Sequence, residues 1–256
     1  MLKLWLTSLT VLMLNFSFGC TINKTSNEKG TLRLVANGED LVRQGLLSKD
    51  GWKIDFNHVN VTLANVKAYQ TNAPLNPEQD KEINASETVV LLDTPKTVDL
   101  AAGDQEAAPI LVQRVPVAAG VYNALSWKVT HLILDGRAEK EGKTIDFMLE
   151  LNPELKYICG EYVGEERKGI LKANGEAEVE MTFHFDHIFG DGNMAAQESI
   201  NTESLGFQPL AALGSNGTLK VDMLALKQKL RQSHYQTLSS AIEGLGHVGE
   251  GHCQVQ

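Results

Sequence analysis

Val59-Asn60-Val61-Thr62-Leu63 alternates apolar and polar side chains, and the strand-like composition runs on to Ala68. Successive side chains of a strand point to opposite faces, so a period of two marks a strand with one buried face. Similar segments lie on both sides of this stretch. Thr31–Ala36 and Trp52–Phe56 precede it. Val89–Leu92, Lys96–Leu100, Ile110–Val117, Tyr122–Leu134 and Lys143–Leu151 follow it. Polar or glycine-containing turns separate them, among them the loop 70–86 and a hairpin signal at Lys140–Gly142. Lys168–Lys172 and Ala177–Phe185 flank Asn174-Gly175 and are expected to pair as a hairpin.

After Asp186 the character changes. Residues 186–217 read as loops around a short apolar piece, Leu205–Leu213. Met223, Leu224, Leu226 and Leu230 have helical spacing, Ser233 and Gln236 form an expected capping box, and Gly244 and Gly246 end the helical part. Many short strands first and helices last predict a mainly β protein. The expected architecture is a β-sandwich with a C-terminal helical appendage from about residue 221. Residues 31–256 are read as one domain, since no linker divides them.

Residues 1–20, MLKLWLTSLTVLMLNFSFGC, have a basic start and an apolar stretch too short and too interrupted for a membrane span. They read as a signal peptide. Gly19-Cys20 resembles the end of a lipobox, with Cys20 as the lipidated residue, although Ser17 and Phe18 depart from the usual pattern. Plain cleavage after Gly19 is the alternative. Residues 21–30 would form a tether. Thr21 after the cysteine resembles Gram-negative lipoproteins held, by a lipid anchor in the membrane, at the periplasmic face of the outer membrane. In that oxidising compartment the remaining cysteines, Cys159 and Cys253, are expected to form a disulfide; metal-bound thiolates are the alternative. The net charge of −9 argues against a nucleic-acid partner, which needs clustered Lys and Arg.

Three stretches carry a family resemblance: Phe56-Asn57-His58-Val59-Asn60-Val61-Thr62-Leu63, Thr97-Val98-Asp99-Leu100, and Val115-Pro116-Val117-Ala118-Ala119-Gly120-Val121-Tyr122. Gly51 to Val129 resembles a group of bacterial lipoprotein domains of unknown function with a transthyretin- or immunoglobulin-like sandwich. It is more loosely similar to the MbnP-like periplasmic copper proteins. The resemblance covers about a third of the chain and implies fold rather than function. Residues 157–256 have no counterpart in it.

That unmatched region holds the candidate chemistry. In Phe183-His184-Phe185-Asp186-His187, a strand over residues 177–187 would place His184 and Asp186 on one face with Glu178 and Glu180. Val179, Met181, Phe183 and Phe185 would fill the other. An imidazole and a carboxylate so placed suit a divalent cation, and His187 can turn toward the same ion. The tail Gly246-His247-Val248-Gly249-Glu250-Gly251-His252-Cys253 adds two histidines in a glycine-rich segment. A Cys159–Cys253 bridge would bring it back beside the strand. His184, Asp186, His187, His247 and His252 are therefore the expected ligands of a divalent transition metal, zinc first and copper as the alternative. Each window alone is more often an ordinary His–Asp pair or a solvated tail than a metal site. His131 shares parity with Leu125, Trp127 and Val129 and reads as a core histidine. His58 and His234 read as surface residues, and Asp191 as a turn.

No nucleophile elbow, phosphate-cradling loop or H-E-x-x-H helix is present. The expected role is metal capture, buffering or delivery in the periplasm, without catalysis. A structural lipoprotein presenting loops to an envelope partner, with no metal, is the alternative; a metal-dependent hydrolase comes third.

Overall fold

Two long strands carry the larger sheet. In the computed structural model, which describes residues 28–80, 82–160, 169–247 and 253–256, β3 (Lys53–Thr71) runs antiparallel to β8 (Ala124–Lys140). The segments Trp52–Phe56 and Val59–Ala68 are thus one strand, irregular at Asn57, where the register shifts. On its other edge β8 meets β9 (Lys143–Leu151) and β10 (Leu155–Cys159). Glu141 and Gly142 both take positive φ (48° and 77°), the backbone that a two-residue hairpin demands. The outer edge of β3 pairs with β2 (Leu46–Leu47), β4 (Ala85–Leu92) and β5 (Lys96–Asp99). β13 (Thr218–Asp222) joins β9 in parallel, a strand not expected from the sequence.

The smaller sheet has the order β14 (Gly246–His247), β12 (Glu176–Phe183), β1 (Lys29–Asn37) and β6 (Ile110–Ala118). The result is a mainly β sandwich with a few helices. One buried cluster unites Leu32 and Leu34 of β1, Val179, Met181 and Phe183 of β12, Val59, Val61 and Leu63 of β3, and Trp127 of β8. Leu226, Leu238 and Ile242 from the C-terminal helices α5 (Met223–Lys229) and α6 (Gln232–Glu243) join the same cluster. Short helices α1 (Leu41–Gln44), α2 (Asp186–Phe189), α3 (Ser199–Thr202) and α4 (Gln208–Ala211) fill the connections.

Three expectations need correction. The Asn174-Gly175 turn forms, with Gly175 N donating to Lys172 O, but its flanks share the bond from Gly169 N to Glu178 O and form no ladder with each other. Instead β11 (Ile170–Leu171) pairs with β7 (Gly120–Val121), and β12 pairs in parallel with β1. The expected capping box is unused: Ser233 lies inside α6, whose N-cap is Arg231, whereas Asp222 caps α5 by accepting from Ala225 N at 2.7 Å. His131 is half-exposed, not core. Thr62 faces His131 but Leu63 faces Val129, so Thr130 is an extra residue that reverses the parity and buries Leu132 and Leu134 instead.

Cys159 and Cys253 form a disulfide (S–S 2.01 Å) across paired strands β10 and β15 (Cys253–Val255). The C-terminal chain thereby touches both sheets, through β14 on the smaller and β15 on the larger. Its approach is close. A Cβ on Gly246 would lie 2.8 Å from the Tyr157 ring, so only glycine fits there without a shift.

Candidate metal centre

The site begins with a row of three residues across three strands. Asn37 of β1 faces Thr182 of β12, and Thr182 faces His247 of β14. Because β1 and β12 run parallel, both chains leave the sheet in the same direction. The residue two past Asn37 therefore comes beside the residue two past Thr182. These are Glu39 and His184, and Glu39 Oε2 lies 3.2 Å from His184 Nδ1. The Asn37 side chain shapes this exit, its Oδ1 accepting from Glu39 N at 3.0 Å while Glu39 takes φ 60°. Asn37 Nδ2 also donates to the buried Glu180, at 2.9 Å.

The strand ends at Phe183, so Asp186 does not share a strand face with His184 as alternation predicted. A helical turn replaces the alternation: α2 starts at Asp186, and His187 N donates to His184 O at 3.2 Å. The reason is below the site. Phe183, Phe185, Ile188 and Phe189 are all fully buried. Phe185 and Phe189 pack on Phe56, with ring centres 6.5 and 6.1 Å away, and Phe189 packs on Phe207 at 6.2 Å. Burying four apolar residues in this F-H-F-D-H-I-F run leaves the polar three, His184, Asp186 and His187, on the outer side. An aromatic floor of this kind holds ligands in place better than a mobile loop would.

His184, Asp186 and His187 each offer a ligand atom, and these atoms lie within 4.8 Å of one another. His247 belongs with them. Its ring centre is 4.4 Å from that of His184 and 5.6 Å from that of His187. A backbone bond from His184 N to Leu245 O (3.0 Å) fixes the incoming tail beside the strand end. Of the five expected ligands, four are thus together. His252, like Cys20 and the signal and tether residues 1–27, lies outside the described residues.

Electrostatics mark the same residues. The bond to His184 holds the Glu39 carboxyl below its ordinary value, despite partial burial. Burial pushes the Asp186 carboxyl up, against the pull of His187 and His184. Asp186 Oδ1 is buried and accepts no hydrogen bond from the described residues. These two groups have opposite signs in pH-dependent stability. The contribution of Glu39 is present above the ordinary carboxylate range and is lost as pH falls through its depressed value. That of Asp186 is present below that range and is lost as pH rises through its raised value. At neutral pH the metal-free fold carries the cost of a buried carboxylate.

Asp186→Asn should therefore raise the melting temperature of the metal-free protein at pH 7 by about 2–4 °C, the equivalent of roughly 1 kcal/mol in a domain of this size. It should also weaken the metal-dependent stabilisation. Thermal melts of both proteins with and without chelator check this, and an asparagine variant less stable without metal refutes it.

Glu39 escaped the sequence reading. Its local signal, Asn37-Gly38-Glu39-Asp40, is only that of a turn after a strand. The other described histidines are elsewhere. His58 is an exposed partner of Asp99 (2.7 Å), and His131 Nε2 lies 3.3 Å from Glu150 without hydrogen-bond alignment. Asp191 closes its own turn by accepting from Asn193 N. No family model matches the chain, and no curated protein or solved structure gives a significant match to it.

Proposed function

We propose that this protein binds a divalent transition ion, zinc first and copper as the alternative, through His184, Asp186, His187 and His247. The observation that carries this reading is the buried Asp186 oxygen, without a hydrogen bond among the described residues and beside the imidazoles of His184 and His187. A buried acceptor left unpaired costs about 1–3 kcal/mol, and a cation among these donors removes that cost. The donor set of imidazoles and one carboxylate suits zinc. Glu39 fits the part of a carboxylate that orients a metal-bound imidazole: its Oε2 accepts from His184 Nδ1, which suits coordination through Nε2. The cellular role is capture, buffering or delivery of the ion in the periplasm, from a lipid anchor at Cys20. The Cys159–Cys253 bridge agrees with an oxidising compartment.

Elemental analysis of untagged protein tests the reading. It expects about one equivalent of zinc or copper, lost in the double variant His184→Ala/His247→Ala; metal content unchanged by that pair of substitutions rejects the site. Glu39→Gln should keep the ligands but lower affinity about 10- to 100-fold, the usual cost of removing such an orienting partner. Competition titration against a chromogenic chelator measures it, and wild-type affinity would remove Glu39 from the site.

One observation favours metal-assisted hydrolysis as a second reading: a cavity of about 460 Å³ has His187 in its wall and Glu203 on its lining. Hydrolysis would need an open coordination position and a general base beside it. Turnover of ester or phosphoester substrates by the zinc-loaded protein separates the two readings.

A further inference from the structure

That cavity lies between α2, α3 and the end of α6. His184 has Glu39 on its Nδ1, but the His187 side chain has no hydrogen-bond partner among the described residues. Its Nδ1 faces Gly244, where a Cβ would come within 3.2 Å, and both residues line the cavity. Nε2 is then the His187 nitrogen left for an ion, and a metal there keeps the ring proton on Nδ1. An N–H so placed calls for an acceptor, the part Glu39 plays for His184. Among the described residues no side-chain carboxylate supplies it. Ser199 and Ser240 line the same cavity and carry hydroxyls as further donors, and Glu203 adds a negative charge. Ala241 and Gly244 keep the space open. Its volume lies within the range of small-molecule sites.

The geometry points to a binding site for a small amino-acid-like zwitterion, with its carboxylate on His187 Nδ1 and the serine hydroxyls and its ammonium group toward Glu203. A carboxylate completes the hydrogen bonding of His187. A cationic end matches the negative charge of Glu203. The inference rests on His187 as a metal ligand, and it makes the bound ion and the organic ligand mutually reinforcing, since linkage is reciprocal.

Saturation-transfer NMR on the full chain tests it, with 4-aminobutyrate, butyrate and butylammonium as probes, in zinc-loaded and metal-free protein. The expected result is a 4-aminobutyrate signal at least fivefold above those of the other two, strengthened by zinc. Ser240→Phe, which fills the cavity without replacing a proposed metal ligand, should abolish it while leaving zinc content unchanged. Glu203→Gln should reduce it to the level of butyrate. Equal signals from 4-aminobutyrate and butyrate, a signal that survives Ser240→Phe, or no signal in protein that does bind zinc overturns the proposal. Protein that binds no zinc yet gives the selective, Ser240-dependent signal retains the cavity site and refutes the metal reading instead.

Discussion

His184→Ala should lower zinc affinity by about two to three orders of magnitude while the fold survives. Apparent zinc-binding free energies in peptides are about 10–16 kcal/mol, so sharing them over about four ligands assigns roughly 3–4 kcal/mol to each. His184 touches both other imidazoles and its Nδ1 meets Glu39, so its loss removes a ligand and the anchor of the orienting carboxylate together. The structural cost is small. The His184 side chain is 23% exposed and that of Glu39 38%, so water can reach the carboxylate left behind. The floor of Phe183, Phe185, Ile188 and Phe189 does not involve the imidazole. Zinc titration and thermal melts on the same preparation check both halves. Wild-type affinity in this variant would place the ion elsewhere or nowhere.

Removing the Cys159–Cys253 bridge should cause the larger stability loss. The two cysteines are 94 residues apart, and the chain-entropy model gives such a loop about 4–5 kcal/mol. In a domain of this size that corresponds to a fall in melting temperature of about 10–15 °C. The effect should reach the metal as well. His247 lies between two attachments, the buried Leu245 on one side and Cys253 on the other, and the bridge holds the second against β10. With the bridge cut, β14 keeps its short pairing with Thr182 and Phe183 but loses the attachment on its far side, and His247 visits its position less often. A Cys159→Ser/Cys253→Ser variant, and wild type in reductant, should both show the lower melting temperature and weaker zinc binding. Unchanged melting would mean that Tyr157, Leu245 and the helix packing hold the tail without the covalent link.

The strands were legible where burial is local and regular. Val59, Val61 and Leu63 alternate because β3 has one face on the core, and all three are fully buried. The same logic failed at His131, since a single extra residue at Thr130 reverses the parity and leaves no mark in the composition. Asn174-Gly175 announced a turn correctly. It could not say that β11 and β12 would choose other partners, because a two-residue signal carries no information about strands far away in the chain. The H-x-D-H run was legible as chemistry, but for a different geometric reason than alternation: buried aromatics force a helical turn at Asp186.

Glu39 shows where sequence reading ends. Its distance to His184 depends on the parallel register of β1 and β12, which sets Asn37 against Thr182 across 145 positions of chain. Local patterning, turn residues and the pairing of two cysteines are properties of short segments or of simple counting, so the amino-acid order alone determined the β class, the helical end, the disulfide and the two histidine windows. Register between distant strands is set by the fit of whole hydrophobic faces. Only that packing decided that His184, Asp186, His187, His247 and Glu39 meet at one end of the smaller sheet.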